Sequence, residues 1–156
     1  ILPTHGGDRS RVQPAPLNRP KGVSDCRLIV WHGNPVPKPR QTRSDKWKKR
    51  PAVMRYREFA DSLRAVAGKL GDCQRLYIKA WLPIPKSYSE VKCLELWGRP
   101  HRALHADTDN ICKAVSDSLF KQDCAIWDMC CQKLWDDGDG PRLELYVCCC
   151  EKGDCR

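Results

Sequence analysis

The sequence predicts an α+β fold: a single domain of order β-α-β-α-β-β, with a mixed sheet and two helices on one face. Three observations predict it. Apolar residues recur with helical period over 52–70. Residues 74–82 alternate with strand period. The last third holds two alternating runs around an Asp/Gly-rich turn. At 156 residues the chain is too short for a two-domain nucleotide enzyme or a full α/β barrel. We divide it into a flexible N-terminal tail (1–25), a folded domain (26–150) and a C-terminal tail (151–156).

Each element has a local reason. Cys26 to His32 is a short apolar run that Gly33 and Asn34 end, so it reads as the first strand. A Pro-punctuated basic loop follows over 34–51. In the next helix Tyr56, Phe59, Ala60, Leu63, Val66, Ala67 and Leu70 form one stripe, and Gly71 closes it. In the second strand Leu76, Ile78, Ala80 and Leu82 face one way and Tyr77, Lys79 and Trp81 the other, until Pro83 and Pro85 end it. Residues 86–106 are ambiguous, with Val91–Trp97 a short helix or a strand. Asp109 is placed as the N-cap of a helix over about 110–121, with Ile111, Ala114, Val115 and Leu119 as its apolar face. Residues 124–135 and 142–149 are read as a hairpin closed by Asp136–Gly140. That acid-rich turn lacks the ligand register of a calcium loop.

Charge is unevenly distributed. Residues 1–57 hold 14 Lys and Arg against 3 Asp and Glu; residues 58–156 hold 14 against 16. A basic half implies a polyanionic partner, by default nucleic acid. Lys38, Arg40, Arg43, Lys46, Lys48, Lys49 and Arg50 crowd one loop around Trp47, which suits contact with a DNA backbone. No apolar run approaches the ~20 residues of a membrane helix, and neither a membrane partner nor a signal peptide is expected. The 11 cysteines are odd in number and lack C-x-x-C spacing. A secreted disulfide framework and a zinc site are both disfavoured, and burial in strands is the plainer reading. His101 and His105 have i,i+4 spacing, but Pro100 speaks against the helix that ligation would need. Trp31, Trp81, Trp127 and Trp135 fall on predicted strands, where core or interface positions suit them better than base stacking.

The chemistry concentrates in His105-Ala106-Asp107-Thr108-Asp109-Asn110-Ile111-Cys112-Lys113 and onward to Asp117 and Asp123. Asp107 and Asp109, two apart, can face a common point, and Lys113 and Asp117 follow at helical spacing. Clustered carboxylates suit Mg²⁺ or Mn²⁺, which polarises a phosphodiester and activates water. A nearby lysine stabilises developing phosphate charge. The competing reading is structural: a helix cap, a Lys113–Asp117 ion pair and two solvated acids.

The pattern Asp107-x-Asp109-Asn110-x-x-Lys113-x-x-x-Asp117-x-Leu119, followed by Asp123, resembles the RusA family of Holliday junction resolvases. The resemblance covers about residues 27–147. It includes the strand ending in Gly33-Asn34-Pro35, the basic loop, the amphipathic helix, the strand ending at Pro83, the acidic helix and a C-terminal hairpin. It implies a RusA-like fold and a homodimeric endodeoxyribonuclease. Such an enzyme binds four-way DNA junctions and cuts symmetrically related strands by metal-dependent hydrolysis, in DNA recombination and repair. It implies Asp107, Asp109 and Asp123 as catalytic metal ligands, Lys113 as a catalytic lysine, and Asn110 and Asp117 as supporting residues behind them. It further implies Mg²⁺ (or Mn²⁺) as cofactor, no small-molecule substrate, and a bacterial cytoplasmic setting, phage-encoded or not. His105 stands where the family often has Lys or Arg, and is carried as a DNA contact; Ala106 replaces a frequent Pro. Two other classes compete. A non-catalytic branched-DNA binder would keep the loop but not cut. A D-x-D phosphotransferase needs a buried strand before its motif, and residues 99–106 do not read as one.

Overall fold

The structure, a computed structural model, describes residues 26–40, 42–47, 49–71, 73–102 and 107–149; the two tails, 1–25 and 151–156, lie outside these. The chain runs β1 (Cys26–His32), α1 (Pro51–Ala67), β2 (Cys73–Leu82), α2 (Glu90–Leu96), α3 (Thr108–Leu119), β3 (Asp128–Trp135) and β4 (Arg142–Cys149). A 3-10 turn at Arg43–Lys46 interrupts the basic loop. The strands form one mixed sheet of order β1-β4-β2-β3, so the expected α+β class holds.

The core lies between the sheet and the helices α1 and α3. Strand alternation sends Leu76, Ile78 and Ala80 of β2, Leu143, Leu145 and Val147 of β4, and Ile29 and Trp31 of β1 into it. Tyr56, Phe59, Leu63 and Ala67 of α1 and Ile111, Ala114 and Val115 of α3 meet them. The helical stripe of α1 is therefore confirmed through Ala67, whereas Val66 is half exposed. The helix ends at Gly68, not at Gly71. Gly68 takes φ +66°, and its N–H donates to the Arg64 carbonyl, which closes the last turn.

The expected hairpin does not form. β4 pairs antiparallel with both β1 and β2, and β3 pairs parallel with β2 on its other side. The 136–141 segment therefore passes over the end of β2 instead of turning tightly between neighbours. Near its start, Asp136 N–H donates to Leu82 O (2.9 Å). Two alternating runs and a Gly turn suit a hairpin equally well. What separates them is that β2 is buried on both faces, with Trp81 and Lys79 below a tenth exposed on the side away from the helices, and so takes a central place.

The ambiguous 86–106 stretch resolves into α2, capped by Ser89, and an extended segment along the free edge of β3. His101 N–H donates to Lys133 O and Trp135 N–H to Arg99 O, both at 2.9 Å. His101 is buried and stacks on Trp135, outside any helix. The i,i+4 helical pairing with His105 thus fails at His101; His105 lies outside the described residues. Trp31, Trp81 and Trp135 are buried as expected. Trp127 is exposed, with Arg75 over its ring.

Among the described residues one disulfide forms, between Cys26 and Cys148. The two cysteines face each other across β1 and β4, 122 residues apart in sequence. Facing positions on antiparallel neighbours hold side chains close enough to bridge. That relation depends on the sheet order, and cysteine spacing carries no sign of it.

Gly33 ends β1 with φ +147°, and a Cβ there would lie 2.6 Å from the Trp31 ring. Trp31 cannot yield easily: its Nε1 donates to Ser62 Oγ (3.0 Å) and its ring meets the Phe59 ring edge-on. Gly33→Ala is expected to cost about 1–3 kcal/mol, from overpacking and backbone strain together. Gly71→Ala, with open space around it, serves as the control. Equal urea midpoints for the two variants would contradict this account.

Candidate active site

The acidic segment is carried by α3. Asp107 is its N-cap, so the cap falls two residues earlier than expected and Asp109 sits within the first turn. The Asp107 carbonyl accepts the first helical bond from Ile111 N–H (3.1 Å), but its carboxylate makes no capping hydrogen bond. Both carboxylates are solvent-exposed. They stand at the positive end of the helix dipole, where negative side chains are favoured. The apolar face of α3 turns Ile111, Ala114 and Val115 inward. Lys113 is exposed, one turn beyond Asp109.

Asp123 lies in the connection from α3 to β3, where its carbonyl accepts from Ile126 N–H (3.0 Å). Its side chain is exposed. Among the described residues, no group of three or more His, Cys, Asp or Glu side chains is gathered as a metal cage. The pair Asp107–Asp109 nonetheless fits a hard cation of the magnesium type. Such an ion takes one or two carboxylates and fills its remaining positions with water and substrate phosphate. A carboxylate that the sequence reading passes over, Asp128, opens β3 and accepts a hydrogen bond from Tyr77 Oη (2.6 Å). Burial and that carboxylate push the Tyr77 phenol above its ordinary range.

Asn110 and Asp117 both face the basic loop. The Asn110 carbonyl accepts from Lys38 N–H (3.3 Å). Asp117 pairs with the Lys38 ammonium and not with Lys113. Cys112, next to Lys113, shares a hydrogen bond with Cys131 of β3; it lowers the Cys112 thiol and raises that of Cys131.

The basic loop is folded around one buried acid. Asp45 accepts from the Arg50 guanidinium fork and from Thr42 N–H. Arg50 also donates to Arg40 O, and Arg57 to Asp45 O. Of the seven basic loop residues assigned to DNA, Lys38 and Arg50 are thus engaged within the protein. Arg40, Arg43 and Lys49 are exposed, and Trp47 projects with 81% of its surface accessible. Lys48 and the side chain of Lys46 lie outside what the structure describes.

The Arg50 fork, helped by Thr42 N–H, lowers the Asp45 carboxyl from 3.8 to about 2. A depressed carboxyl stabilises the fold above its unfolded pKa and loses that contribution as pH falls through the folded value. The contribution of the Asp45–Arg50 contact to stability is therefore expected to decline below about pH 4, while the contact itself titrates in the folded protein with a midpoint near pH 2. The Arg50 Nε–H resonance, followed by NMR during acid titration, reports it. A midpoint near 4 would remove the basis for this assignment.

No helix among the described residues is long and apolar enough to cross a membrane. No match to the chain was found among curated proteins or among solved structures. The family model described as Endodeoxyribonuclease RusA matches residues 32–147, a span running from the end of β1 almost to the end of β4 and including the basic loop and α3. The match covers most of the chain, and the chain belongs to the RusA endodeoxyribonuclease family.

Proposed function

We propose that the protein is a divalent-metal-dependent endonuclease that binds four-way DNA junctions and cuts symmetrically related strands. The observation that carries this reading is the exposed pair Asp107–Asp109 on the same helix against which the basic loop docks, within a family of endodeoxyribonucleases. Asp107 and Asp109 supply the oxygen donors, with Asp123 as the third carboxylate. Mg²⁺ or Mn²⁺ supplies Lewis acidity toward the scissile phosphate and makes water a competent nucleophile. Lys113 sits one turn from Asp109, where its charge offsets the negative charge that grows on the phosphate oxygens. Asn110 supports these groups from α3, and Asp117 does so by holding the basic loop against that helix.

Arg40, Arg43, Lys46, Lys48 and Lys49 contact the sugar-phosphate backbone, and His105 adds a phosphate contact beside the first aspartate. Backbone contacts give affinity without sequence information, which suits recognition of a branch by shape. Symmetric cutting of a two-fold junction calls for two symmetric sites, so the acting unit is a homodimer. A bacterial cytoplasm, with or without a phage origin, is the corresponding setting.

The test is incubation of purified protein with a labelled four-way junction and a matched linear duplex, with and without Mg²⁺. Paired symmetric nicks in the junction alone, and only with metal, are expected. Tight junction binding without nicks under Mg²⁺ and Mn²⁺ would replace this reading with that of a non-catalytic junction binder.

A further inference from the structure

The sequence assigns Lys38 to the DNA and Asp117 to the surroundings of the metal; the structure joins them. The Lys38 ammonium pairs with the Asp117 carboxylate across 79 residues of sequence. Both side chains are mostly shielded, at 25% and 29% exposure, so solvent and salt screen the pair less than a surface pair. A second link is independent of the first. Lys38 N–H donates to the carbonyl of Asn110, the residue directly after Asp109. Asn110 and Asp117 lie seven residues apart on α3, roughly 10 Å along its axis. Lys38 therefore touches α3 at two places.

The local sequence makes this contact stiff. Lys38 lies between Pro37 and Pro39. Neither proline has a backbone N–H, and both fix φ. Lys38 thus holds the one main-chain donor of the 37–39 stretch, and that donor is spent on α3. Just upstream, Pro35 is buried and Val36 packs against the core. Just downstream, the chain enters the Arg40–Arg50 segment that presents the exposed cations.

We propose that Lys38 and Asp117 are a positioning pair that fixes the basic DNA-binding loop in register with the Asp107–Asp109 site. Lys38 is then not a phosphate contact. Asp117 acts on cleavage through the loop and not through the metal. This rests on the junction-endonuclease reading for its functional consequence, but the latch itself is a property of the free protein. A loop held at a set distance from the carboxylates places the scissile phosphate over them. A loosened loop still binds the junction through its exposed cations but places the phosphate poorly, and small misplacements are costly in rate.

The variants are Lys38→Met, Asp117→Asn and the exchanged pair Lys38→Asp with Asp117→Lys. Three readouts apply: hydrogen exchange of residues 42–50, salt dependence of junction affinity, and single-turnover cleavage with saturating protein. Either single variant is expected to raise exchange in the loop and slow cleavage by about tenfold or more. Junction affinity and its salt slope should stay near the wild-type values. The exchanged pair should recover protection and most of the rate, which the mere loss of a charge would not allow. If Lys38→Met lowers the salt slope by about one, Lys38 is a phosphate contact and the proposal fails. Unchanged loop exchange in Asp117→Asn also overturns it. Should the wild-type protein not cut at all, the endonuclease reading falls, and exchange and salt slope still decide the latch.

Discussion

Asp109→Asn is expected to end metal-dependent cutting while leaving junction binding intact or tighter. The side chain lies exposed in the first turn of α3, two residues after Asp107. Replacing it halves the charge of the pair that would hold the cation. Metal activation is worth several kcal/mol of barrier, so a loss of about a thousandfold or more in single-turnover rate is expected. The fold should tolerate the change. An acidic side chain in the first turn contributes about 0.3–1 kcal/mol through the helix dipole, and Asn keeps the shape. Binding should not weaken, because one negative charge near phosphates has been removed. Cleavage within tenfold of wild type would remove Asp109 from the metal site. Lost junction binding in a folded variant would count equally against it.

Arg142→Ala is expected to be the most destabilising single truncation in the sheet. Arg142 is 7% exposed, yet it carries a full charge. Its fork donates to both oxygens of Asp137 (2.9 and 3.0 Å) and its Nε to Glu144 (2.9 Å). Its guanidinium lies over the Trp81 ring, 4.2 Å from the centroid. These contacts hold the 136–141 crossover against the end of β2. Truncation strands Asp137 and Glu144 without their partner and removes the cover of a buried tryptophan. Losing one member of a buried pair costs about 3–5 kcal/mol, and because both acids are partly exposed the lower end applies. That is a large share of the roughly 5–15 kcal/mol that keeps a domain folded.

Arg142→Lys should recover only part of this loss, since an ammonium cannot span both Asp137 oxygens. The same pairing gives an acid dependence. Hydrogen bonds from Arg142 hold the Asp137 carboxyl below its ordinary range. Its contribution is present at neutral pH and declines as pH falls through that depressed value. Urea denaturation at pH 7 measures both variants. A shift under 1 kcal/mol for Arg142→Ala would show that the crossover is held by other contacts.

Local pattern was a good guide wherever a residue's environment depends on near neighbours. The α1 stripe and the alternation of β2 are of this kind, because burying one face dictates the period. The acidic motif was legible too, since Asp107, Asp109 and Lys113 lie within two helical turns. The end of α1 was less so. Gly68 and Gly71 can both stop a helix, and the structure uses Gly68. The expected cap of α3 was Asp109, but the helix begins at Thr108 and Asp107 is its cap.

By itself the sequence determined the fold class, the helix that bears the candidate carboxylates, the basic loop and, through the spacing of the acidic motif, the family. Only the tertiary structure decided relations between distant residues. It placed β2 between β3 and β4, brought Cys26 to Cys148, and spent Lys38 and Arg50 on Asp117 and Asp45. The physical reason is common to all of these. Periodicity reports which face of an element is buried, whereas strand order and ion pairing depend on which buried faces meet and which charges are then left within reach.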